Sequence, residues 1–220
     1  MRIAALMLCC LVLSGTPAVA GVIRGAVRVP TGLHEEPSFQ PYAGRASSMP
    51  GHARASRGAV TDAVLSIQSL PAGVDSMLPL PAERASLAQR DESFVPRVVA
   101  IAAGSSVDFP NFDPIYHIVF SVSPARRFDL GKYPRGQSRT VRFTRTGLVN
   151  VFCDIHADMA AFIIVLPNRA FTRPDANGNY RLPELPAGRY LLRWWHPDFP
   201  VGQREVVVPE SGAVTADVSY

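Results

Sequence analysis

The sequence is poor in cysteine and lysine, and after its first residues it has no long apolar run. Three of the 220 residues are cysteine, and Cys9 and Cys10 sit together in an apolar amino-terminal stretch. Cys153 is left without an internal partner, which excludes a disulfide-stapled fold. Lys132 is the one lysine, so arginines carry the basic charge. They are scattered through turns and strand faces rather than clustered, and no nucleic-acid partner is expected. No later apolar run approaches the roughly 20 residues that a membrane-spanning helix needs; Ala160–Leu166 is strand-sized. Helical periodicity is scarce too, with Pro81–Asp91 the best and still short candidate. No tract is rich in histidine or methionine.

The first twenty residues read as a secretory signal. Arg2 gives the positive start, Ile3–Leu13 the apolar core and Ala18-Val19-Ala20 the small-residue cleavage pattern. Cys9 and Cys10 lack the small residues before them that a lipoprotein signal needs. The expectation is an exported, periplasmic monomer with no membrane insertion after cleavage. Loss of Arg2 takes the formal charge from +4 to +3. In an oxidising compartment a lone exposed thiol is at risk, so Cys153 calls for burial or a bound metal.

Twenty prolines, sixteen glycines and many β-branched runs predict an all-β chain of short strands and tight turns. Gly21–Val29 alternates as a strand, residues 31–58 form a long flexible loop holding His34 and His52, and Ala63–Leu70 resumes a strand. Pro71–Asp91 reads as a connector. Val98–Ala102 is a strand, Val107 and Phe109 face inward on the next, and Ile115–Val122 carries His117. Ser123–Gly136 reads as a loop. Val141 and Phe143 point in, and Val149, Val151 and Cys153 share one face of a strand opened by Gly147. Ala161–Leu166 is apolar enough to be buried on both faces. Asp175-Ala176-Asn177-Gly178 is a hairpin turn with Gly178 free to take positive φ. One of Trp194 and Trp195 is expected in the core and the other at the surface.

The chemistry gathers in Val151-Phe152-Cys153-Asp154-Ile155-His156-Ala157-Asp158-Met159, where a thiol, an imidazole and a thioether fall within seven residues. His117 adds a second imidazole from an earlier strand. Two imidazoles, a thiolate and a weak axial thioether are the ligand set of a blue-copper site. Thiolate and thioether suit Cu(I), and imidazole serves both oxidation states. Zinc fits the set less well, because thioether is a poor zinc ligand.

Asn111-x₅-His117 followed by Cys153-x₂-His156-x₂-Met159 resembles the cupredoxins, the plastocyanin and amicyanin group, over roughly Phe94–Leu166. The resemblance implies a Greek-key sandwich holding one copper ion. It makes His117, Cys153 and His156 equatorial ligands, Met159 the axial ligand, and Asn111 a hydrogen-bonding tie between the ligand-bearing segments. Ala157 stands where amicyanin has proline, and Ile118 where it has asparagine. Asp154, Asp158 and nearby Asp113 add carboxylates. Phe171-Thr172-x-x-Asp175-Ala176-Asn177-Gly178-Asn179-Tyr180-Arg181-Leu182, with Leu185-Pro186-Ala187-Gly188-Arg189-Tyr190, resembles the second half of a carboxypeptidase regulatory-like (transthyretin-like) β-sandwich. Val22–Val27 and Asp62–Ile67 resemble its first half. The resemblances imply a signal over 1–20, the first part of a small second sandwich over 21–91, a copper domain inserted over 92–167, and the rest of the second sandwich over 168–220. The alternative topology gives Ala63–Leu70 to the copper domain as its first strand.

The functional expectation is single-electron transfer between redox protein partners. The alternative is a copper carrier or storage protein without electron traffic. Enzymatic activity is not expected, because the obvious ligands leave no open coordination position and no Ser-His-Asp or paired-carboxylate pattern stands out.

Overall fold

The computed structural model describes residues 20–30, 58–81 and 83–220. Most of the segments read from the sequence as a signal and as the 31–58 loop, with His34 and His52, lie outside the described residues. The amino end supplies β1 (Ala20–Arg28), a 3₁₀ turn at Val60–Asp62, β2 (Val64–Ile67) and the one-turn α1 (Val74–Met77). The middle supplies β3 (Ala85–Ser86), β4 (Ala88–Arg90), β5 (Ser93–Val95), β6 (Val98–Ala102), β7 (Ser106–Pro110) and β8 (His117–Ser123). It continues with β9 (Arg126–Tyr133), β10 (Ser138–Arg142), β11 (Gly147–Cys153) and β12 (Ala160–Leu166). The carboxyl end adds β13 (Phe171–Thr172), β14 (Asn179–Arg181), β15 (Leu185–Pro186), β16 (Gly188–His196), β17 (Phe199–Val208), β18 (Gly212–Thr215) and β19 (Val218–Ser219). The protein is all-β, as its composition predicts.

Two hydrophobic cores draw on different parts of the chain. In the first, the sheet β6-β12-β11-β8-β9 covers the sheet β10-β7-β3. Between them Val107, Phe109, Val119, Val141, Phe143, Val149, Val151 and Ile163 are buried. Their alternation along each strand follows from the two-residue period of extended chain. The second core gathers Ile23, Leu65, Ile67, Leu182, Leu185 and Leu192. Its sheets are β13-β2-β16-β17 and a set built on β1, which pairs with β14, β15, β18 and β19. Val64–Ile67 thus pairs with β13 and β16, not with the strands that carry His117 and Cys153.

β12 is covered on both faces. Ala161, Ile163 and Val165 enter the first core. Phe162 and Ile164 pack with Val64, Val98, Leu166 and Trp195 in a smaller cluster between the two. Trp194 packs on the second core and Trp195 meets Phe162 edge-on, with ring centroids 5.8 Å apart. Neither tryptophan stands free at the surface, which corrects the expectation for that pair: the chain has apolar material on both sides of β16.

Two local expectations fail for physical reasons. Ser123–Gly136 is not a loop, since β9 pairs along β8. Its apolar residues Phe128, Leu130 and Tyr133 lose the two-residue period, because the pairing shifts register between Ile118 and Phe120 and Gly131 takes φ 59°. Pro71–Asp91 is more than a connector; α1 lies in it, β3 pairs with β7 and β4 with β5, and Leu87 is fully buried in the first core. β3 and β4 are two and three residues long and are set by pairing with neighbours rather than by their own pattern. The turn at Asp175–Gly178 forms, and Gly178 has φ 86° with a Cβ there meeting the Val27 carbonyl oxygen at 2.5 Å, but it is no hairpin: β13 and β14 on either side of it pair into different sheets.

Candidate metal centre

The three equatorial candidates converge because of strand register. On β8, His117 and Val119 share the buried face. On β11, Cys153 stands opposite Val119, so its sulfur reaches the inner face beside the imidazole. The Asp154 amide donates to the Ile118 carbonyl at 3.0 Å, which locks the two strands at this point. Beyond Cys153 the chain turns tightly. The Met159 amide donates to the His156 carbonyl at 3.1 Å and the Cys153 amide to the Met159 carbonyl at 3.2 Å. This closed turn folds His156 back over Cys153.

Cys153 Sγ lies 3.6 Å from His117 Nδ1 and 3.8 Å from His156 Nδ1. One donor atom from each residue fits within 4.8 Å of the others. His117 is fully buried and Cys153 nearly so, whereas the His156 side chain keeps 23% of its surface in solvent. Met159 is buried in the first core, at the end of the same turn. The donors are two imidazole nitrogens and one thiol, two of them buried, a set that fits copper.

The thiol is held ready to ionise. Burial pushes it up, but the His117 imidazole and the backbone amides of His156, Ile118 and Ile155 outweigh that and bring it down from 9.0 to about 6. His117 moves the other way. Burial disfavours its cation, yet Cys153 and Asp113 together raise it above the ordinary 6.5.

Asn111 is fully buried, and its bonds stay on the His117 side. Its Nδ2 donates to the carbonyls of Ile115 at 2.9 Å and Tyr133 at 3.1 Å, and its Oδ1 accepts the Asp113 amide at 2.9 Å. None of these reaches the Cys153–Met159 turn. Asn111 thus shapes the turn that presents Asp113, a different task from the tie that the sequence suggested. Asp113 matters more than its sequence position indicates: its Oδ2 lies 2.8 Å from His117 Nε2, fixing the ring from behind. Its carboxylate also accepts the amides of Asp91 at 2.6 Å and Glu92 at 3.0 Å. Glu92 Oε2 in turn lies 3.4 Å from His156 Nε2. Glu92 went unnoticed in the sequence. The one available signal was an Asp-Glu pair at a hairpin position that usually holds Asn-Gly or Asp-Gly.

No family model matches the sequence, and comparison with curated proteins gives no match. Among solved structures, a copper-containing nitrite reductase from Thermus scotoductus aligns with TM-score 0.37 and 23% identity over 44% of this chain. The chain spans 27% of that reductase's length. A purple cupredoxin from Nitrosopumilus maritimus aligns with TM-score 0.34 and 17% identity, over 37% of this chain and 98% of its own. Amicyanin from Paracoccus versutus aligns with TM-score 0.34 and 20% identity, over 46% of this chain and 96% of its own.

Proposed function

We propose that the chain is an exported copper protein that carries single electrons between redox partners in the periplasm. The observation that supports this most is the convergence of His117 Nδ1, Cys153 Sγ and His156 Nδ1 inside 4.8 Å. Copper would be held there by His117, Cys153 and His156, with Met159 as a further thioether donor, and would supply a one-electron couple. The chain's own part is to keep its donors still. His117 and Cys153 sit on paired strands, and the bonds within the Cys153–Met159 turn hold His156. Little then has to move when the charge changes. Burial of His117 and Cys153 keeps water from the thiolate, and the partly open His156 ring offers an edge toward a partner.

In this reading the protein is a monomer without enzymatic activity, and its partners are other redox proteins. The second core forms a small β-sandwich of the regulatory-like kind, with the copper unit inserted in it. The pairing of β1 and β2 with strands from the carboxyl end supports that arrangement.

Adding Cu(II) to the purified metal-free protein and recording the visible spectrum tests the copper assignment. An intense band that vanishes in Cys153→Ser is expected. Stoichiometric Cu(I) binding with an unstable, colourless Cu(II) form would turn the reading to a copper carrier, and no binding of either ion would end it.

A further inference from the structure

Both imidazoles present Nδ1 to the sulfur and turn Nε2 away from it, and both Nε2 atoms meet a carboxylate. Behind His117 stands Asp113, 2.8 Å from Nε2 and buried with it. Behind His156 stands Glu92 at 3.4 Å. These carboxylates lie 21 residues apart in sequence, yet they are joined by the tip of the β4–β5 hairpin. Arg90 pairs with Ser93, so Asp91 and Glu92 form a two-residue turn, and both amides point at the Asp113 carboxylate.

The turn is an uncomfortable one for its residues. Asp91 and Glu92 each have φ 52°. Positive φ at both central positions is the type I′ pattern, which favours Asn or Asp first and Gly second. Aspartate tolerates that backbone; glutamate has no local reason to be there. A side chain that strains its turn and also reaches a histidine of the metal cluster suggests that the side chain is what the position is kept for.

We propose that the β4–β5 hairpin tip is a carboxylate clamp on the two imidazoles, with Asp113 and Glu92 as positioning residues that hold their Nε2 protons and aim both Nδ1 atoms at Cys153. The clamp rests on the copper reading for its consequence but not for its geometry. A carboxylate behind a ligating imidazole makes the ring a stronger donor and fixes its tautomer. Two such carboxylates place negative charge beside the site and favour a divalent over a monovalent ion.

Glu92→Gly is the decisive variant, because it converts the turn to Asp-Gly. If Glu92 serves only the hairpin, glycine improves the turn and nothing else changes. If it serves the clamp, the metal-free protein melts higher while Cu(II) affinity falls relative to Cu(I). Loss of a carboxylate of this kind typically lowers metal affinity by about 10–100-fold, and each tenfold change in that ratio raises a one-electron potential by about 59 mV. Asp113→Asn, which keeps the shape and removes the charge, is expected to act in the same direction. Titrations with Cu(II) and Cu(I) read the ratio. Nitrogen-15 NMR of histidine in the metal-free protein reads the tautomers whether or not copper binds. The clamp predicts Nε2–H on both His117 and His156. Protonation of either at Nδ1 in the neutral ring overturns the proposal, as does a Cu(II)/Cu(I) ratio unchanged within twofold in both variants. If neither copper ion binds, the copper reading fails by itself and the tautomers still decide the clamp.

Discussion

Arg97→Met tests how the two cores are fastened together. The guanidinium lies between carboxylates from the other core's elements, 3.1 Å from Asp62 and 2.7 and 2.8 Å from the two oxygens of Asp198. The Arg97, Asp62 and Asp198 side chains are 14%, 6% and 12% exposed, so water screens the group poorly. Arg97 also lies over the Phe162 ring, 5.5 Å from its centroid. Removing one member of a buried ion pair costs about 3–5 kcal/mol, because the remaining charge is stranded. Arg173 stays 4.0 Å from Asp62 and the Gly58 amide still donates to Asp198, which places the cost near the lower end. The lost cation–π contact adds about 0.5–1 kcal/mol. For a chain of this size a loss of about 3–4 kcal/mol lowers the melting midpoint by roughly 6–16 °C.

The pH dependence supplies a second reading of the same substitution. Burial alone would push Asp198 up, but Arg97 and the Gly58 amide hold it below 3.8. That depressed value gives stability that is present at neutral pH and lost as pH falls through it. In Arg97→Met burial is no longer offset by the guanidinium, so Asp198 rises and the variant gains stability relative to wild type on acidification. Urea unfolding at pH 7 and pH 4.5 should therefore show a large gap at pH 7 that narrows at pH 4.5. Adding Asp62→Asn and Asp198→Asn to the variant should recover much of the loss. A cost under about 1 kcal/mol at pH 7, as for an exposed pair, with no change at pH 4.5, would refute the reasoning.

Three further outcomes are expected. In the metal-free protein thiolate absorbance of Cys153 should appear around pH 6 and not around 9; the lowered thiol adds stability that is full above about 9 and lost as pH falls to about 6, so the melting-midpoint advantage of the wild type over Cys153→Ser should shrink across that range. Gly202→Ala drives a Cβ to 2.2 Å from Trp194 Cε2; displacing that ring should cost about 1–3 kcal/mol in urea unfolding and leave the visible spectrum of the copper-loaded protein unchanged. Asn111→Ala removes two donated bonds and one accepted bond inside the core; a cost of about 2–4 kcal/mol is expected from the stranded partners, together with disturbed His117 NMR signals, because Asp113 loses the turn that presents it.

Much of the fold follows from local alternation. Val149, Val151 and Cys153 on one strand, and Val107 and Phe109 on another, enter a common core as a two-residue period requires. β9 escapes such reading because Gly131 and a shifted register break the period, so Phe128, Leu130 and Tyr133 look unpatterned. β3 and β4 escape it for a different reason. Their segment reads as a connector, and only contacts with β7 and β5, distant or still to come in the chain, select extended backbone. Trp194 and Trp195 show a third limit: alternation tells that they point apart, but not that each side offers an apolar surface.

At the candidate metal centre the same distinction separates the donors from what holds them. Cys153, His156 and His117 stand out because their residue types are rare in this chain and their chemistry is soft. Strand register then explains how two of them meet. Asp113 and Glu92 carry no such mark, since carboxylates are common and the pair becomes meaningful only when a hairpin tip is folded against the turn after Asn111. What the sequence does hold is a misfit: glutamate at a turn position that favours glycine. A residue at odds with its own backbone points to a contact elsewhere, and here that contact is His156. The misfit is local and readable, whereas its partner is set by tertiary structure. For that reason Glu92→Gly separates the hairpin's own stability from the chemistry it supports more cleanly than any change at a ligand.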